Sequence, residues 1–196
     1  MTEFSANSFA WAAGLIKEAP KEVYCQTRDV FQGRLDSLFL KMIKANFRED
    51  EAALCVAVLG EIGNNCYDHN LGKWADSPGC CFEVNLSSGS LMVCLTDRGQ
   101  GVLSSLRRVL PDLKSADDAL AVSFQKVISG RAPEKRGNGL KFVRSVINSH
   151  ANRALVCMSG DGLFDFGGAL VDLASISLLA KGTVFPGVVT ILRWKQ

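Results

Sequence analysis

The stretch CCFEVNLSSGSLMVCLTDRGQG, residues 80–101, decides how the chain is read. Two runs, CCFEVNL at 80–86 and LMVCLT at 91–96, are apolar and partly alternating, with SSGS between them. Such runs around a short glycine-containing link predict a β-hairpin. A hairpin makes its strands antiparallel. A doubly wound sheet would instead need strict alternation of strand and helix, which the rest of the chain lacks.

Upstream, RDVFQGRLDSLFLKMIKAN, residues 28–46, carries Leu35, Leu38, Phe39, Met42 and Ile43 at the spacing of one helical face. Asp50 is placed to cap a second helix, with Glu51 in its first turn, and this helix runs to about His69. LGKWADSPG reads as a loop. Downstream, residues 102–136 are weakly patterned, with one helical patch near 116–128. KRGNG then opens a helix from Leu140 to about Asn148, whose face is Leu140, Val143, Val146 and Ile147. Strand-like pieces come next at 154–159, 162–166 and 188–194. The expected fold is therefore α+β: a two-layer α/β sandwich with a mixed, mostly antiparallel sheet and helices on one face. One domain over residues 26–196 is expected, preceded by an arm or short helix in residues 1–25.

With 196 residues, 47% hydrophobic and 21% charged, the chain can bury a core. A net charge of +2 and no concentrated basic block argue against nucleic acid as the main partner. No apolar run reaches 18 residues, and the apolar stretch from Phe9 to Ile16 comes after Glu3 without a basic flank. Neither a membrane span nor a secretory signal is expected, so the location expected is cytoplasmic. The seven cysteines are odd in number and lack the spacing of a metal knuckle, which predicts reduced, buried thiols.

Three segments carry chemistry. In the second helix, Cys55, Leu59, Ile62 and Cys66 share one side, while Leu54, Val58, Glu61, Asn65 and His69 form a second row. That row starts aliphatic and ends polar. Glu61 and Asn65 are therefore expected at the margin of the core, over a cavity, where a carboxylate and an amide need partners. In LTDRGQGV, residues 95–102, a strand ends in Asp97, and Gly99 and Gly101 permit a tight turn and close approach of a ligand. In KRGNGLKFVRSVI, residues 135–147, Gly137 and Gly139 open a helix whose first N–H groups form an anion site, with Lys135 and Arg136 just before it.

Taken in order, these segments resemble the GHKL superfamily of ATP-binding domains, the Bergerat fold, from about residue 30 to the last residue. Glu61-Ile-Gly-Asn-Asn65 is similar to that family's N box, Asp97-Arg-Gly99-Gln-Gly101 to its first glycine box, and Gly137-Asn-Gly139-Leu140 to its second. The resemblance implies ATP and Mg²⁺ as cofactors. It implies that Asn65 helps hold the metal, Asp97 receives the adenine amino group, and Gly99 and Gly101 shape the adenine pocket. Gly137, Gly139 and Leu140 would open the helix start toward the phosphates. Glu61 stands where the family's hydrolytic and serine-phosphorylating members keep a general base. Residues 102–136 would be the ATP lid, and their seven Lys or Arg against four acids suit a polyphosphate. One departure concerns the family's Gly-Thr before the final strand. Gly182–Thr183 is followed by Val-Phe-Pro, and Pro186 cannot join a central ladder. The better-placed pair is Gly187–Val188, with Thr190 two residues on.

The only histidines, His69 and His150, do not sit on a helical hairpin before the domain, as a self-contained histidine kinase would require. The expectation is a stand-alone module. Its ExxxNxxxH pattern, Glu61, Asn65 and His69, is similar to the anti-sigma-factor serine kinases of bacterial partner switching. The implied function is phosphorylation of a serine on a regulatory protein partner, of sigma-factor or antagonist type, with a homodimer also compatible. The alternatives are a non-catalytic, nucleotide-dependent binding module and a slow stand-alone ATPase.

Overall fold

The computed structural model describes residues 6–70, 72–125, 138–168 and 182–196. The elements are α1 (Ala6–Ala12), β1 (Tyr24–Cys25), α2 (Arg28–Lys44), α3 (Glu49–Asp68), β2 (Cys80–Ser87), β3 (Ser90–Asp97), α4 (Gly101–Arg107), α5 (Ala116–Gln125), α6 (Gly139–Asn148), β4 (Arg153–Gly160), β5 (Gly162–Gly167) and β6 (Phe185–Lys195). The strands form one open sheet in the order β1-β2-β3-β6-β4-β5, and each pairing among them is antiparallel. The architecture is the expected α+β sandwich.

The hairpin closes tightly: Ser87 pairs with Ser90, and Gly89 takes a left-handed φ of 67° between them. Thr27 caps α2 through its hydroxyl, which accepts from Val30 N–H. The second helix of the sequence reading, α3, starts differently from expectation. Arg48 is its N-cap and makes no side-chain cap bond, and Asp50 lies inside the first turn, paired with Arg48. Glu49, Asp50 and Glu51 still place negative charge at the positive end of the helix dipole.

Alternation along the strands gives the sheet two apolar faces. Phe82, Leu91, Val93, Leu95, Leu155 and Trp194 share the main core with Leu35, Leu38 and Met42 of α2 and Val58, Leu59 and Ile62 of α3. Cys94, Val156, Val189 and Ile191 point the other way, and α1 packs on that second face through Ala12. The N-terminal helix is thus the exception to helices on one face. A sheet buried on both sides needs cover on both.

The start of α3 is tied to the sheet. Arg153 of β4 donates to both Glu51 oxygens at 2.9 Å, and Trp194 Nε1 donates to Glu51 Oε2 at 3.0 Å. The Arg153 guanidinium also stands 4.0 Å from the centre of the Trp194 ring. Along its length α3 approaches α2 closely at Gly63, where a Cβ would overlap the Phe31 ring.

The weakly patterned segment holds two helices, α4 and α5, where one patch was expected. Leu120 and Phe124 of α5 are buried, and Phe124 packs on Phe164 and Phe166 of β5. Residues 102–125 of the expected lid therefore include part of the core, whereas 126–136 lie outside the described residues. All seven cysteines are buried free thiols. Among the described residues, no helix is long and apolar enough to cross a membrane.

Candidate functional site

Burial along the second row of α3 does not grade evenly from apolar to polar, because exposure peaks at Glu61 and falls again beyond it. Val58 is fully buried, Glu61 is exposed, and Asn65 and His69 are half-buried. Glu61 borders a groove of about 480 Å³ between α2, α3 and α6, with Ala57 and Gly60 from α3, Leu35 from α2 and Phe142 from α6. Its carboxylate lies against the start of α6, because a Cβ on Gly139 would overlap Glu61 Oε2. Glycine at 139 lets the two helices approach this closely. Leu140 is half-buried against the core, and Gly137 lies outside the described residues. Asn65 lies one turn beyond Glu61 in α3, and its carbonyl accepts from His69 N–H at 3.1 Å, whereas the amide lining the groove beside Glu61 is Asn64.

Asp97 ends β3 and is 2% exposed. Its Oδ1 accepts from Gly99 N–H at 2.8 Å and from Asn70 Nδ2 at 3.2 Å. Burial pushes its pKa up to about 6, against the opposing pull of the Gly99 N–H, the Cys66 thiol, Asn70 and the Val188 N–H. A carboxylate this buried, held at the end of a strand by a few fixed donors, is a costly feature for stability alone.

The turn that carries Gly99 and Gly101 docks on the beginning of β6. Gly101 has a left-handed φ of 75°, and a Cβ there would meet Pro186 O at 2.9 Å and Ser159 Oγ at 3.0 Å. A Cβ on Gly187 would overlap the backbone of Asp97. Ser159 joins the pieces: its hydroxyl donates to Gly187 O at 2.8 Å and accepts from Val102 N–H at 3.0 Å. Pro186 avoids the ladder as its chemistry demands. Gly160 pairs with Phe185 but Ser159 pairs with Val188, so Pro186 and Gly187 fall in a register shift. The pair beside Asp97 is Gly187–Val188. Thr190 pairs with Leu95, which puts it on the same sheet face as Asp97, and its hydroxyl is directed to Cys157 Sγ at 3.6 Å.

The structure thus makes two clusters and joins them through one helix. Glu61 meets Gly139, and nine residues further along the chain, just past the end of α3, Asn70 meets Asp97, Gly99 and Gln100. At the rise of an α-helix that separation is about 13 Å. Sequence reading missed Asn70 and Ser159. Asn70 directly follows the ExxxNxxxH row and Ser159 ends the apolar run of β4, so each was visible as a polar residue at an element's end, without a sign of its partner. Among the described residues, no group of three or more His, Cys, Asp or Glu could hold a metal. The Glu61 carboxylate and the Asn65 amide, one turn apart on α3, are donors of the hard oxygen type that a phosphate-borne Mg²⁺ would take. Neither a protein-family model nor a curated protein matches the chain.

Proposed function

We propose that this chain is an ATP-binding domain of the GHKL type and acts as a serine kinase of the anti-sigma-factor kind on a regulatory partner in the cytoplasm. The observation that carries the reading is the single helix α3 and the turn that ends it, which bring Glu61 to the opening of α6 and, about 13 Å on, Asn70 to Asp97. A nucleotide laid along it would have its purine at Asp97 and its phosphates at Gly139. The carboxylate of Asp97 accepts the adenine amino group. The exposed N–H groups and dipole at the start of α6 attract the phosphates. Bound Mg²⁺, held in part by Asn65, supplies charge neutralisation on the polyphosphate. Glu61 accepts the proton of the partner's serine hydroxyl as that oxygen attacks the terminal phosphorus and ADP leaves.

Calorimetry of the purified chain with ATP, ADP and GTP, each with Mg²⁺, tests the reading. Binding of the adenine nucleotides and not GTP is expected, since GTP presents a carbonyl where adenine presents its amino group. Absence of adenine-nucleotide binding would refute it. Binding without phosphate transfer to any captured partner would reassign the chain to a nucleotide-dependent binding module.

A further inference from the structure

We infer that Asn70 is a positioning residue for the purine-recognising carboxylate, bracing Asp97 and the DRGQG turn from the end of α3. The carboxamide is 4% exposed. Its Nδ2 donates to Cys66 O at 2.9 Å and to Asp97 Oδ1 at 3.2 Å, and its Oδ1 accepts from Gln100 N–H at 3.1 Å. A Cβ on Gly99 would overlap this group, so the turn is built around it. Asn70 is therefore a three-way brace. One contact fixes it to the last turn of α3, one aims the carboxylate, and one holds the turn beyond β3.

This rests on the reading that Asp97 receives adenine. On that reading Asn70 governs both the orientation of the carboxylate and its charge. The titratable groups facing Asp97 are the Cys66 thiol from α3 and the Cys157 thiol from β4. A hydrogen bond from Cys80 pulls the Cys66 thiol down, but burial and Asp97 raise it to about 11 on balance, and burial raises Cys157 to about 12. Both are neutral near pH 7. The rest of the support comes from the N–H groups of Gly99 and Val188. Asn70 is the side-chain amide in this set, and it holds the ionised form.

The test uses the full chain without nucleotide, following the Asp97 carboxyl by carbon NMR across pH in the wild type, Asn70→Ala and Asn70→Asp. The Asp variant keeps the volume and the acceptor for Gln100 N–H, loses the donor, and adds like charge. Both variants are expected to raise the Asp97 midpoint by about one pH unit, the Asp variant more. Mg-ATP affinity at pH 7 should fall about twofold through the lost charge and recover toward about pH 8.5 in Asn70→Ala. An unchanged midpoint in a folded variant overturns the inference, whatever the nucleotide does. A wild-type chain that binds no Mg-ATP overturns instead the reading beneath it, and does so in a separate titration.

Discussion

The Glu61 carboxylate occupies the space into which a side chain on Gly139 would project. Two segments far apart in the chain, the one carrying Glu61 and the one carrying Gly139, are therefore in contact at the opening of α6. If Glu61 is the base, Glu61→Gln should lower ATP turnover by about 10²- to 10⁴-fold while leaving ATP affinity within a few-fold. Gly139→Ala should also lower turnover, because the carboxylate must move. ADP release under saturating Mg-ATP measures both. Unchanged turnover in Glu61→Gln would remove Glu61 from the chemistry.

Asp97 links pH to stability in a defined direction. Its pKa is about 6 in the folded chain, against about 3.9 for an unperturbed aspartate. The folded state thus holds this proton more tightly than the unfolded one. The stability contributed by the neutral form is complete below about pH 4 and is lost as pH rises through about 6. Asp97→Asn should accordingly make the nucleotide-free protein more stable at about pH 7.5, by up to about 3 kcal/mol, with little gain at about pH 4. The same variant should lose ATP binding. Denaturant melts at the two pH values decide the first part, and an equal difference at both would contradict it.

Gly63 sits between Glu61 and Asn65 in α3 but serves packing. A Cβ there would overlap the ring of Phe31, which is fully buried. Gly63→Ala should cost about 1–3 kcal/mol of stability. Adding Phe31→Leu should recover part of that loss, giving a coupling that a double-mutant cycle detects. Strictly additive losses would show that the two residues do not press on one another.

The Glu51–Arg153–Trp194 cluster is structural. Arg153 is 2% exposed and bonded to both Glu51 oxygens. Arg153→Ala leaves Glu51 only a longer contact to a cation, the exposed Arg48 at 3.8 Å, and should cost about 3 kcal/mol. Replacing both members with apolar residues, Glu51→Leu with Arg153→Met, should cost less than the single change. Chemical denaturation of the wild type and both variants checks the order.

Much of the architecture is readable from local pattern. The helix faces of α2, α3 and α6 and the partial alternation of β2 and β3 repeat within short stretches; burial follows the helix faces, whereas β3 is buried continuously from Val93 to Asp97 because both faces of the sheet are covered. Ile43 departs from its helical face at 38% exposure, because α2 lies against α3 and the sheet over a narrower stripe than its apolar residues cover. β1 has two residues and becomes a strand through its pairing with β2, a long-range event. The seven residues of α4 carry too little periodicity to announce a helix.

The site divides along the same line. Residue order and spacing mark Glu61, Asn65, Asp97 and the glycines as candidate positions, because a motif is a local arrangement of residue types. That Glu61 rests on Gly139, that Ser159 pins the first glycine turn to β6, and that Asn70 braces Asp97 were settled by packing. Each joins segments distant in the chain, and such contacts depend on how helix and sheet seat against each other, which no short stretch of sequence encodes.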